Sequence, residues 1–151
     1  MNYFEIFGLP VAYSIDEDSL NATYLKKQKA LYKNPNQIND ESSLLNSAYN
    51  TLSDPIKRAE YFLHLNEHSS EISMASENAL KMFALREKFD LLSDDESREK
   101  FCETLEEKIL QLLESLGALE NNLDAFHEKF ELILFMHSFL EKVRSNVYSG
   151  N

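Results

Sequence analysis

His64 and His68 stand one helical turn apart, the spacing at which two imidazoles can share a metal ion. A metal site needs further ligands. His68 falls in the polar run NEHSSEIS and no third ligand lies near, so both histidines are expected to be solvated. The single cysteine, Cys102, excludes an internal disulfide and any thiolate-built zinc or iron–sulphur site from one chain. On its apolar helix face it reads as a core thiol, and His137, on a similar face, reads as a hydrogen-bonded interior side chain. The sequence shows neither a nucleophile paired with a base nor a glycine-rich phosphate loop, so catalysis is not expected and no cofactor is called for. What remains is electrostatic: Lys26, Lys27, Lys29 and Lys33 crowd one short stretch and can form a positive patch that steers an acidic partner.

That patch is local, because the chain carries a net charge of -11. Such a balance makes nucleic acid an unsuitable partner, since phosphate neutralisation needs clustered Lys and Arg. No run of apolar residues is long enough to cross a membrane, and the opening MNYFEIFGLP lacks the basic and apolar regions of a secretory signal. The expected location is the bacterial cytoplasm, with no membrane partner.

The elements that must hold the lysines are helices. Only 3 Gly and 3 Pro occur, too few for the turns of a many-stranded sheet. NYFEIFGLP predicts a short helix stopped by Gly8 and Pro10. Asp16 is placed to cap a helix over about 17–31, with Leu20, Tyr24, Gln28 and Leu31 on one face. After the connector YKNPNQIND, the residues Leu44, Leu45, Ala48, Tyr49 and Leu52 predict a helix of about three turns. Pro55 then opens another, carrying Ile56, Ala59, Phe62, Leu63 and Leu65.

Beyond the polar run, three apolar stripes predict a three-helix bundle. Ala79, Met82, Phe83, Leu85, Phe89 and Leu92 mark its first helix. Phe101, Leu105, Ile109, Leu112, Leu113 and Leu116 mark its second, with a stop at Gly117. Phe126, Phe130, Ile133, His137 and Leu140 lie along one stripe of the third. A second stripe on that helix, Leu132, Phe135, Met136, Phe139 and Val143, is more than one buried face requires. It is expected either to stay exposed as a contact patch or to be covered by the N-terminal domain.

The ordered set NYFEIFGLP, LLNSAYNTLSDPIKRAEYFLHL, MFALREKFD and FLEKVR resembles the HscB family, J-domain co-chaperones of iron–sulphur cluster assembly, over nearly the whole chain. The resemblance implies an all-α chain: a J-like helical hairpin at 1–68, a linker at 69–74 and a scaffold-binding three-helix bundle at 75–149. It implies two partners, an IscU-like scaffold protein and an HscA/DnaK-type ATPase chaperone. Lys26, Lys27, Lys29 and Lys33 then fall on the face expected to dock on the ATPase. Ala79, Leu80, Phe83, Ala84, Glu87 and Phe139 fall on the patch expected to bind the scaffold.

The family's His-Pro-Asp trigger should follow the second helix, but the nearest match here is Asn34-Pro35-Asn36, reached by a shift of register. Proline's fixed φ is kept, while the imidazole becomes an amide and the carboxylate loses its charge. The expectation is an adaptor with weakened ATPase stimulation. The alternative is a degenerate J-like module that binds a client without activating a chaperone.

Overall fold

The computed structural model describes residues 1–33, 38–68 and 76–149. Asn34, Pro35 and Asn36, and the expected linker at 69–74, lie outside them. The described residues are all-helical, without strands, and the chain divides into two compact units, Met1–Ser69 and Ser70–Asn151.

The first unit opens with α1 (Tyr3–Ile6), whose Asn2 and Glu5 make a reciprocal capping box. Gly8 follows at φ +67, a left-handed position open to glycine without strain. In α2 (Glu17–Tyr32) the Asp16 carboxylate accepts from the Ser19 N–H at 3.2 Å, the cap expected from sequence. α3 (Ile38–Ser53) begins earlier than the apolar spacing alone suggested, since its first turn carries Asp40 and Glu41. Acidic residues there are favoured by the helix dipole, which hydrophobic periodicity does not register. In α4 (Pro55–Leu65) Pro55 takes the first turn and Asp54 caps it.

Phe4, Phe7, Leu20, Leu45, Ala48 and Leu52 form the core of this unit, where α1 and α2 meet α3. Polar fasteners hold the α2–α3 hairpin. The Tyr24 and Tyr49 rings stack at 4.0 Å, Tyr24 donates to Asn46 at 2.6 Å, and Tyr49 donates to Asn21 at 2.7 Å. Tyr61 of α4 stacks on Tyr3 at 4.8 Å, and its hydroxyl accepts from the Tyr3 N–H at 3.0 Å, so α1 is pinned to α4.

The second unit contains α5 (Ser76–Asp90), α6 (Asp95–Ser115), a 3-10 turn (Leu116–Leu119) and α7 (Leu123–Ser149). Gly117 lies inside the 3-10 turn, so the chain tightens there rather than stopping. α7 is the central helix: α5 and α6 each pack mainly on it rather than on each other. Phe139 of α7 meets Phe89 of α5 at 5.9 Å and Phe101 of α6 at 6.4 Å. Asn78 of α5 is buried and donates to the Glu128 carbonyl of α7 at 3.2 Å.

This arrangement settles the two stripes of α7. Phe126, Phe130, Ile133 and Leu140 are buried, but so are Leu132, Met136 and Val143. A helix with neighbours on two sides buries two faces, so most of the second stripe is neither an exposed patch nor surplus. Cys102 is buried as expected, and desolvation raises its thiol pKa. His137 departs from expectation: it is half-exposed, with Nε2 3.1 Å from the Glu141 carboxylate. It sits at the edge of the buried arc of α7, where one turn brings it beside a surface acid.

Candidate partner-binding surfaces

His68 lies beyond the C-terminal end of α4, so His64 and His68 are not one turn apart on a single helix. The helix exit turns through Glu67 at φ 55, and the His68 N–H reaches back to the Leu63 carbonyl at 3.0 Å.

Lys26, Lys27, Lys29 and Lys33 are all exposed. At 3.6 residues per turn, Lys26, Lys29 and Lys33 share the face of α2 that is turned away from Leu20 and Tyr24. Lys27 is rotated toward α1 and α3, where it lines a small cleft with Ile6, Leu31, Glu41 and Leu44. Helical register therefore aligns three of the four lysines and leaves the fourth beside an acid.

The expected scaffold patch divides across two sides of α5. The inward face carries Asn78, Met82, Leu85 and Phe89, and the outward face carries Leu80, Phe83 and Glu87. Leu80 is 70% exposed and Phe83 60% exposed, values that remove Phe83 from the bundle core where its spacing had placed it. Ala79, Phe83 and Phe139 line a cleft between α5 and α7, with Arg86 and Lys142 on its rim. Ala84 and Glu87 line a different groove, on the side of α5 that faces α6.

Two residues outside the sequence-based set extend the exposed apolar surface. Leu91, just past α5, is 83% exposed, and Leu110 on α6 is 56% exposed. Leu91 was foreshadowed by the pair Leu91-Leu92, of which only one can follow the helical stripe. Leu110, flanked by the inward-facing Ile109, carried no such signal.

A helical hairpin pinned by a short N-terminal helix, followed by a separate helical unit, defines the class: a two-unit, all-α protein. No family model matches the chain. It is 45% identical over 74 residues to the co-chaperone protein HscB homolog of Haemophilus influenzae, covering 43% of this chain and 42% of that one. It is 31% identical over 106 residues to the homolog of Vibrio cholerae, covering 64% and 61%. These matches span less than two thirds of those relatives. The chain also shares the fold of the solved chaperone HscB from Vibrio cholerae, with a TM-score of 0.74 at 24% identity, covering 98% of both chains. The chain is thus similar in sequence to HscB-type co-chaperones over part of its length and shares the fold of the solved one.

Proposed function

We propose that the chain is an adaptor co-chaperone of iron–sulphur cluster assembly. In this reading its second unit binds an IscU-like scaffold, and its first unit presents that cargo to an HscA/DnaK-type ATPase chaperone. The observation that carries the scaffold half is the outward face of α5. Leu80 and Phe83 stand exposed beside Glu87, and Phe83 shares a cleft with Phe139 of α7. Exposed apolar and aromatic side chains grouped with an acid are anchor material for a protein interface, not for a solvated helix face. For the ATPase half, Lys26, Lys29 and Lys33 supply an aligned positive row on an acidic protein.

ATPase stimulation is weakened in this proposal, because the carboxylate that would complete a charge-assisted contact is an amide at Asn36. The same substitution favours the second reading, a J-like module that holds a client without activating a chaperone. Single-turnover ATPase assays with the chaperone and scaffold, on wild type and on Asn34→His/Asn36→Asp, separate the readings. The adaptor reading expects a small stimulation by wild type that the double variant raises. No stimulation by either, with scaffold binding retained, selects the client-only module. Full stimulation by wild type overturns the weakened trigger.

A further inference from the structure

The second unit holds an open groove that the scaffold patch touches only at one edge. Because α5 and α6 pack mainly on α7 and meet each other where the Phe89 and Phe101 rings lie 5.5 Å apart, they leave a trough between them. Buried Leu105, Leu132 and Met136 close its bottom, and Leu85, Leu92, Phe101 and Leu112 are its partly exposed apolar lining. The trough has two continuous stretches of about 440 and 600 Å³, which share Leu85, Lys88, Lys108 and Met136. Along α6 it runs from Ser97 to Leu112, roughly 22 Å at 1.5 Å per residue. Those wall residues recur every three or four positions on both helices, as in a face that receives a third helix ridge into groove.

The rim decides the occupant. Lys81 and Lys88 stand on the α5 wall, and Lys100 and Lys108 stand on the α6 wall. Four lysines on one trough are conspicuous in a chain of net charge -11, and Glu87 is the single carboxylate among the lining residues. Lys81 and Lys100 hold only exposed pairs with Glu77 and Glu96 at 3.7 Å, contacts weak enough to exchange for a partner's acids. The positive charge is spread along both walls rather than gathered at one end. A fatty acid, with one head group, needs a cluster at one end. A helix with an apolar ridge and an acidic residue on each flank at every turn matches both walls along their length.

We propose that this trough is a second docking site, which receives an acidic amphipathic helix of a partner protein and completes a four-helix arrangement. The site shares Ala84 and Glu87 with the scaffold patch, but its lysine rows and floor lie outside it. The inference therefore does not rest on scaffold binding.

The probe is a fluorescein-labelled 18-residue helical peptide with Leu along one ridge and Glu on both flanks, titrated onto the full chain by anisotropy. Saturable binding is expected. It should weaken at least about tenfold, or 1.4 kcal/mol, in Lys88→Glu/Lys108→Glu. It should weaken similarly in Thr104→Trp, which fills the trough from an exposed wall position without touching the core. A peptide with Lys in place of Glu should prefer the charge-reversed variant. Leu80→Ser/Phe83→Ser should leave the affinity unchanged. Absence of saturable binding, or equal affinity for the Lys-flanked peptide, overturns the proposal. So does loss of binding in Leu80→Ser/Phe83→Ser, which would move the peptide to the outer face of α5. Palmitate binding without peptide binding would assign the trough to an acyl chain. A dimer dissolved by the same trough variants would assign it to a second copy. Either result overturns the proposal.

Discussion

Arg58 is only 6% exposed, yet its guanidinium is held by named acceptors. Nε donates to the Tyr13 carbonyl at 2.6 Å and Nη1 to the Leu52 carbonyl at 2.8 Å, while the Tyr13 ring lies 4.9 Å from the charge. One side chain thus joins the loop before α2, the end of α3 and the start of α4. Arg58→Met removes both charge-assisted bonds and should cost about 2–4 kcal/mol. Arg58→Lys should recover only part of this, because an ammonium on a flexible stem cannot reproduce the planar fork. Urea unfolding followed by far-UV circular dichroism measures both, the chain having no Trp to report by fluorescence. A loss below about 0.5 kcal/mol in Arg58→Met would remove the role assigned to this residue, since surface substitutions typically fall in that range. In the sequence Arg58 showed only as part of a family-like run. Nothing in its spacing distinguishes a buried arginine from a solvated one, because burial depends on carbonyls that the fold brings to it.

Element boundaries were legible wherever a side chain itself makes the boundary. Asp16, Pro55 and Gly8 each stand where local chemistry placed them. What was not legible was how many neighbours each helix has. The double stripe of α7 and the exposed Phe83 both follow from how α5 and α6 pack on α7, a tertiary fact with no local signature. The α5–α6 turn offers a test at this scale. The Asp94 carboxylate accepts from the Ser97 N–H at 2.9 Å, and Arg98 donates to the Leu92 carbonyl at 3.0 Å while lying over the Phe89 ring. The Ser97 backbone bond, then the Ser97 hydroxyl, holds the Asp94 carboxyl below the usual aspartate pKa. A carboxyl depressed in the folded state stabilises above its unfolded pKa of about 3.9, and that contribution is lost as pH falls through the lower folded value. Asp94→Ala should therefore lower the thermal midpoint at pH 7, and the gap from wild type should close in strong acid. Asp94→Asn, still a good cap but unable to titrate, should keep most of the midpoint at pH 7. A gap between Asp94→Ala and wild type that stays constant down to pH 2 would count against the charged cap.

At the scale of the whole molecule, the two sets of expected contact residues lie on different compact units. The lysine row of α2 belongs to the first, and the outward face of α5 to the second. If each surface serves its own partner, the two functions should come apart by mutation. Exposed residues can be changed without disturbing either core, so lost binding would not be lost folding. Leu80→Ser/Phe83→Ser should weaken scaffold binding by roughly 30-fold or more, the scale of a hot-spot anchor of about 2 kcal/mol. It should leave any scaffold-independent ATPase stimulation unchanged. Lys26→Glu/Lys29→Glu/Lys33→Glu should do the reverse, keeping scaffold affinity while abolishing stimulation. Wild-type association with the chaperone should also slow as salt is raised, because exposed charges are screened over about 8 Å at physiological ionic strength. Lys27→Glu should do less than any one of the three aligned reversals, since Lys27 is rotated out of the row toward Glu41. Calorimetric titration with the scaffold and stopped-flow association with the chaperone read these effects separately. If the α5 variant also abolished stimulation, or the lysine variant scaffold binding, the division of labour between the two units would be wrong even with both partners correctly assigned.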